Sequence, residues 1–486
     1  MAAVLHRRED AANPRPRAHP KPWRYDLLSL SPVRRLAASR GVRFGAQMIF
    51  VLLFGLVIVA GLVGTSIAAK SFATVGTWMI WWIGVIFLIL CFGKVWCYVC
   101  PWNALAEWTK HGALWGVRLD APGEAAWPRR WRNLGPAIAF FLLFVWLELG
   151  VGLTMDPLFT AVAAVLLLTL TVVSALVYRR APFCRYACPV GRISGLYALF
   201  APVELRARDR RVCRRCRSKD CLTGNQRGYG CPTGQYPGTM DRNTYCILCL
   251  ECVKTCPRDN LALNLRPFGA DLVKAFRARG DEAYLALVLL SLVIFHAVTM
   301  VPPWFQLVDL LEFVTGWGYT GAFSLLMAVM LAVPLLAHRL ATGIGWRLAR
   351  ERGVPRRRLF VTYAYAMIPL ALFFHLAHNT MHLAMEFAKV VPVLSDPLGM
   401  GWNLFGTAGW IPPASLLPLS TVHGLQELLL GLGIAASAGV LAVCSRRLYP
   451  PAQAVRAAAP MLVVLGGYLA FGWWLFSLPM AMRMLL

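Results

Sequence analysis

Nine long apolar stretches, each bounded by charged or turn-forming residues, fall at about 44–66, 76–94, 136–153, 160–178, 283–301, 319–337, 359–383, 421–444 and 459–480. Each is close to the ~20 residues an α-helix needs to cross a bilayer core. The pattern predicts an all-α polytopic membrane protein of about nine transmembrane helices, interrupted once by a polar insert. It divides the chain into a basic N-terminal arm at 1–43, two helical hairpins at 44–199, the insert at 200–270, and a second helical module of about five spans at 271–486. The hairpins repeat one another: the first ends in Cys97-Tyr98-Val99-Cys100-Pro101 and the second in Cys184-Arg185-Tyr186-Ala187-Cys188-Pro189.

Composition agrees with the pattern and charge orients it. The chain is 58% hydrophobic and 15% charged, with mean hydropathy +0.57; soluble chains are about 45–50% apolar. Its 49 Lys and Arg against 23 Asp and Glu leave a net charge of +26. Such a charge suggests nucleic acid until it is placed on the loops. Arg129, Arg130, Arg132, Arg179, Arg180, the tract 347–358, Arg446 and Arg447 fall between spans on one side, whereas the opposite loops carry only Lys70 and Lys389. By the positive-inside rule the N-terminus and insert are expected in the cytoplasm of a bacterium, the chain in its inner membrane, and the C-terminus outside. Membrane lipid is thus an expected partner, and nucleic acid is not, because no basic tract is interleaved with base-stacking aromatics. Residues 1–43 hold ten Lys or Arg against three acids and lack a short apolar core with a cleavage site, so no removable signal peptide is expected.

Thirteen of the 14 cysteines lie between Cys91 and Cys256 at the short gaps of metal ligands. Cys246-x2-Cys249-x2-Cys252-x3-Cys256-Pro257 has the spacing of a ferredoxin run for a [4Fe-4S] cluster, in which the fourth cysteine serves a second cluster. Cys213-x2-Cys216-x4-Cys221-x9-Cys231-Pro232 is a stretched copy. The insert therefore reads as a small α+β ferredoxin-like unit with two clusters, one on Cys213, Cys216, Cys221 and Cys256, the other on Cys246, Cys249, Cys252 and Cys231. Cys97, Cys100, Cys184 and Cys188 could meet as a further four-sulfur site for iron–sulfur or a soft metal such as copper.

Two membrane hairpins ending in Cys-Pro motifs, followed by such an insert, resemble the membrane polyferredoxin family. That family includes the quinol-dehydrogenase subunit of periplasmic nitrate reductase, the nitrous-oxide-reductase regulator and the cytochrome-oxidase copper-site accessory protein. The likeness covers roughly residues 40–265. Cys184-x3-Cys188-Pro189 matches the family's C-x3-C-P motif, whereas Cys97-x2-Cys100-Pro101 is one residue short, which puts Cys97 in question; Cys91 could substitute for it, but reads first as a small buried apolar residue.

In the second module His375, His378, His382 and Glu386 form one stripe, since residues three and four apart stack on a helix face. With His296 and His423 they fall in the outer halves of their spans. Ionisable groups are costly inside a bilayer and so mark a site. A b-type haem, a quinone pocket and a His–carboxylate metal site are the competing uses, with Glu148 a further candidate for quinone proton exchange. No catalytic triad, phosphate loop or dinucleotide fingerprint is present. The expectation is an electron-transfer subunit, of quinol-dehydrogenase type rather than a complete enzyme, relaying electrons between cytoplasmic clusters and a quinone or haem. Its partners would be the quinone pool or a cytoplasmic donor, and an extracytoplasmic redox protein. The alternatives are a copper-handling assembly factor, with Met381 and Met385 near the outer histidines, and a redox-sensing regulator.

Overall fold

The structure is a computed structural model that describes residues 23–112, 114, 123, 125–274, 277–350 and 353–482. Residues 1–22 of the basic arm lie outside the described residues.

All nine apolar stretches are helical. In chain order the helices used below are α1 (Arg40–Val63), α2 (Phe72–Phe92), α3 (Pro101–His111), α4 (Gly135–Gly150), α5 (Pro157–Val177), α6 (Pro189–Tyr197), α7 (Gly280–Val298), α8 (Gly318–Ala349), α9 (Arg356–Ala366), α10 (Ile368–Glu386), α11 (Leu419–Leu448) and α12 (Pro451–Ser477). Eight segments are long and apolar enough to cross a membrane, the run from α9 through α10 to Ser395 counting as one. The ninth, α4, has only 16 residues, about 24 Å at 1.5 Å per residue, short of a bilayer core. Helices α8, α11 and α12 outlast their apolar runs because residues such as Arg339, Arg347 and Arg446 continue the helix at little cost in propensity.

The bundle has a protein-sheathed axis. Across the Arg356–Ser395 segment 89% of the apolar window is buried in protein, against 28% for α1, α5, α8 and α12. Every residue from Ile368 to Met381 of α10 is buried. Polar side chains there are shielded from lipid, so they can be kept only through mutual hydrogen bonding. Helix α2 widens into π-helical turns over Val75–Trp82, which set Trp81 against Trp96 and Trp102 beside the first Cys-Pro turn, Trp82 against His375 of α10, and Trp78 against Phe144 of α4 and Thr160 of α5.

The insert closes on a three-stranded antiparallel sheet of β1 (Tyr25–Asp26), β2 (Val203–Ala207) and β3 (Leu261–Leu265), with β3 central. Tyr25 and Val203 both pair with Leu265, one from each side. The described part of the arm is therefore not separate from the insert but supplies its edge strand. Two residues are too few to show a period-two pattern, and the signal was hidden among the arginines. Arg24 reaches Glu204 at 2.5 Å and Arg34 reaches Asp259 at 2.6 Å, so the basic segment is spent partly on insert carboxylates.

Buried ion clusters fasten the insert to the bundle. Arg266, fully buried, contacts Asp271 at 2.6 Å and Glu204 at 2.8 Å and donates to the carbonyls of Ala198 and Ala201 just beyond α6. Arg206 adds a second contact to Asp271 at 2.8 Å. Arg43 of α1 joins Glu107 of α3 at 2.8 Å to Glu251 of the insert at 3.1 Å. On the other side Arg242 and the Tyr365 hydroxyl both meet Glu282 at the start of α7, at 3.3 and 2.6 Å.

Asp271→Asn leaves Arg206 and Arg266 under-compensated in the interior, a loss of about 3–5 kcal/mol. Slowed exchange of the β2 and β3 amides should disappear in the variant. Arg206 and Arg266 overcome the burial penalty and hold the Asp271 carboxyl below its ordinary 3.8. The stabilisation is thus full above that value and declines as pH falls below it, so amide protection in the wild type should fade in acid and that of the variant should change less.

Candidate redox sites

Three sets of four cysteines are assembled at one end of the bundle. Cys213, Cys216, Cys221 and Cys256 line one cavity together with Tyr236, Pro257 and Asn260. Asn260 donates its side-chain amide to the Cys213 sulfur at 3.3 Å and its backbone N–H to the Cys256 sulfur at 3.4 Å. Cys231, Cys246, Cys249 and Cys252 line a second cavity with Leu205, Met240 and Leu250. Leu248 and Leu250 both adopt positive φ, 53° and 59°. Non-glycine residues rarely do so, and here the two left-handed bends curl the loop so that its thiols face one space. The long gap before Cys231 folds as a tight hairpin, Gly224–Asn225 against Gly228–Tyr229, and returns Cys231 to donate its N–H to Cys221 at 2.9 Å. The stretched first run thus keeps its ligand spacing in space. In each cavity the fourth cysteine comes from the other sequence run.

The third set lies where the hairpins meet the insert. Cys100 and Cys188 are the N-caps of α3 and α6, each followed by a proline that fits the first helical position. At Cys188 the backbone N–H of Gly191, three residues on, points back at the sulfur at 3.3 Å. The sequence repeat is therefore a pair of helix N-termini, each with a cysteine at its cap where a thiolate is favoured. Cys184, on a π-helical turn over Phe183–Ala187, approaches the Asn103 side chain at 3.8 Å. Cys97 sits on the short helix Val95–Val99, and its charge acts on Cys100, Cys184 and Cys188, so the shortened motif still delivers its sulfur to the group. Cys91 is exposed on α2 and buried Cys444 lies on α11, and neither lines the two cavities.

Burial raises the thiols of Cys100, Cys184 and Cys188 above the ordinary range. Two cations oppose it. Lys94 and Arg192 are 1% and 0% exposed. Lys94 donates to the Gly191 carbonyl at 2.7 Å, and Arg192 to that of Thr244 at 3.2 Å. Burial pushes the Lys94 ammonium down to about 8, helped by Arg192, while the thiolates of Cys97, Cys246 and Cys188 pull it up. Lys94 therefore faces both the hairpin cysteines and the second insert cavity. Among the described residues the Nε and Nη2 of Arg192 meet no hydrogen-bond acceptor, and the guanidinium lies over the Tyr245 ring at 5.0 Å. Orphan donors on a buried cation beside four thiols suit a group of net negative charge, as four thiolates around an iron–sulfur core would be. Among the described residues no group of three or more His, Cys, Asp or Glu is arranged to hold a single metal ion. In the insert the sulfurs surround cavities rather than a point, which suits a polynuclear cluster.

The histidines do not converge on one point. His296 meets Glu148 at 3.4 Å and the Leu292 carbonyl at 2.8 Å. His375 lies 3.4 Å from the Tyr197 hydroxyl and is flanked by the Trp82 ring. His378 and His382 stack edge to face at 4.9 Å, and His382 lies 2.8 Å from Glu386. His423 is half-buried on α11, one turn before Gln426, which donates to the Ala377 carbonyl. The stripe begins closer to the cysteines than span arithmetic implied, because α6 rises from Cys188 into the bundle and ends at Tyr197. Lys94, Arg192 and Tyr197 were missed by sequence reasoning, although the repeated Cys-Pro turns hold a polar residue, Asn103 and Arg192, within the next four positions each time.

A family model described as a 4Fe-4S binding domain matches residues 74–119 and 160–208. Each matched piece contains one Cys-Pro turn, so together they supply all four hairpin cysteines. No curated protein and no solved structure matches the chain. The match supports an iron–sulfur, ferredoxin-type protein, here with membrane-length helices.

Cys256→Ala discriminates the crossed ligand sets. It should remove about four irons and the signal of the Cys213 cavity, leaving that of the Cys246 cavity intact; loss of the Cys246 signal instead would refute the crossing. Cys252→Ala should do the reverse, read by iron assay and low-temperature electron paramagnetic resonance.

Proposed function

We propose that the protein is a membrane-bound electron-transfer subunit holding three [4Fe-4S] clusters. Two lie in the insert, on Cys213, Cys216, Cys221 and Cys256 and on Cys231, Cys246, Cys249 and Cys252. A third lies at the membrane edge on Cys97, Cys100, Cys184 and Cys188. The observation that carries this reading is the placement of buried Lys94 and Arg192 between the Gly191 carbonyl, three residues past Cys188, and the Thr244 carbonyl, two residues before Cys246. Electrons would pass along the insert, cross between these cations and enter the bundle, where a quinone or an external redox protein exchanges with them. The clusters supply the redox chemistry; the chain supplies ligands, counter-charge and a dry surround.

The loop charges favour a cytoplasmic insert in a bacterial inner membrane. Anaerobically purified protein should carry about twelve irons per chain, and quinol should bleach part of its visible absorbance. About eight irons would remove the membrane cluster, and an unchanged spectrum with quinol would remove the quinone link.

A second reading has one observation in its favour. Met300, Met381 and Met482 form a small core with Met385 and Met480 against it, at the end of α10 away from the cysteines. Thioethers select Cu(I). Stoichiometric copper lost on Met381→Leu with Met300→Leu, without quinol reduction, would favour a copper-handling role.

A further inference from the structure

Helix α10 is the most sheathed element of the bundle, yet it bears His375, His378, His382 and Glu386 at steps of three, four and four residues. An apolar helix in that position would pack more cheaply, so the polar residues call for a use. At the cysteine end, Tyr197 terminates the helix that Cys188 caps, and its hydroxyl both donates to the Ala371 carbonyl and lies 3.4 Å from Nδ1 of His375. His375 and His378 are one helical turn apart, about 5–6 Å between Cβ atoms. His378 and His382 are in ring contact, and Nδ1 of His382 meets Glu386 at 2.8 Å. Lys389 approaches Glu386 at 3.9 Å, and the side chains of His382 and Lys389 are 13% and 11% exposed, so the line reaches the surface at that end.

We propose that these residues form a proton path, entered at Glu386 and His382 and ending at His375, which delivers one proton for each electron received by the hairpin cluster. The inference rests on the cluster reading above. The balance is one electron from the insert clusters, themselves supplied by a low-potential one-electron donor, onto the hairpin cluster. One proton from the aqueous phase at the Glu386 end moves through His382 and His378 onto the imidazole of His375. An added negative charge in a low-dielectric interior is expensive unless a positive charge arrives with it. Facing His375 from its neighbours are Tyr197 of α6, His296 of α7 with Glu148 of α4 behind it, and the indole of Trp82 from α2. Facing Glu386 are His382 and Lys389 of its own segment, and His423 and Gln426 line the adjoining helix α11.

Redox titration of the full-length protein under argon, followed by electron paramagnetic resonance between about pH 5 and 8, separates the outcomes. The potential of the hairpin cluster should fall by about 59 mV per pH unit, the value for one proton per electron. His375→Gln should flatten that slope and leave the insert potentials unchanged. Glu386→Gln and His382→Gln keep the slope but should slow the proton uptake that follows rapid reduction by about tenfold or more, read with a pH-indicating dye. These two variants decide the case if His375→Gln does not fold. A flat potential in the wild type with the third cluster signal present overturns the path alone, as does wild-type proton uptake in both Glu386→Gln and His382→Gln. A wild type with no third signal overturns the cluster reading and the path with it.

Discussion

Burying thiols next to a bilayer is the constraint around which this molecule is arranged. A thiolate in an apolar surround reverts to the neutral thiol unless positive charge and N–H donors offset its desolvation. Both appear at the hairpin cysteines: Cys100 and Cys188 cap two helix N-termini, and the buried cations Lys94 and Arg192 are held nearby on the Gly191 and Thr244 carbonyls. The cations are themselves buried and would be unfavourable alone. Each component is tolerable only in the presence of the others, which is why the hairpins, the insert and the Cys-Pro turns must come together as one body.

The same logic fixes the attachment of the insert. Glu251 lies beside Cys252 and is held by Arg43 from the first membrane helix and by Lys254, while Glu204 and Asp271 are held by Arg206 and Arg266. These buried pairs add little net stability compared with apolar packing, but they are directional. They set the insert over the hairpins in one orientation, and a relay by electron transfer depends on orientation and separation more than on strength of attachment.

Much of this was legible in the sequence. The cysteine runs are local patterns of two- and three-residue gaps, so they could be picked out without tertiary information, and the structure groups the same two sets of four around two cavities. The nine apolar helices followed from length and hydropathy, with edges displaced by a few residues where arginines continue a helix. The roles of Lys94 and Arg192 were not legible, since a basic residue near a span boundary has the same appearance whether it faces water or a buried site. Tyr197 was also hidden, because its partner His375 is 178 positions away. The histidine stripe was visible as a periodicity, but its division into Tyr197–His375, His378–His382 and His382–Glu386 contacts depends on rotamers and neighbours that no spacing specifies.

The central position of β3 has a consequence for biogenesis. Its partners on either side, Tyr25–Asp26 and Val203–Ala207, emerge from the ribosome long before Leu261–Leu265 does. The sheet therefore closes only after both hairpins have been synthesised, and until then the insert has no scaffold on which to gather its cysteines. The two cysteine cavities of the insert can therefore form only at a late stage of synthesis, when the first two hairpins are already made.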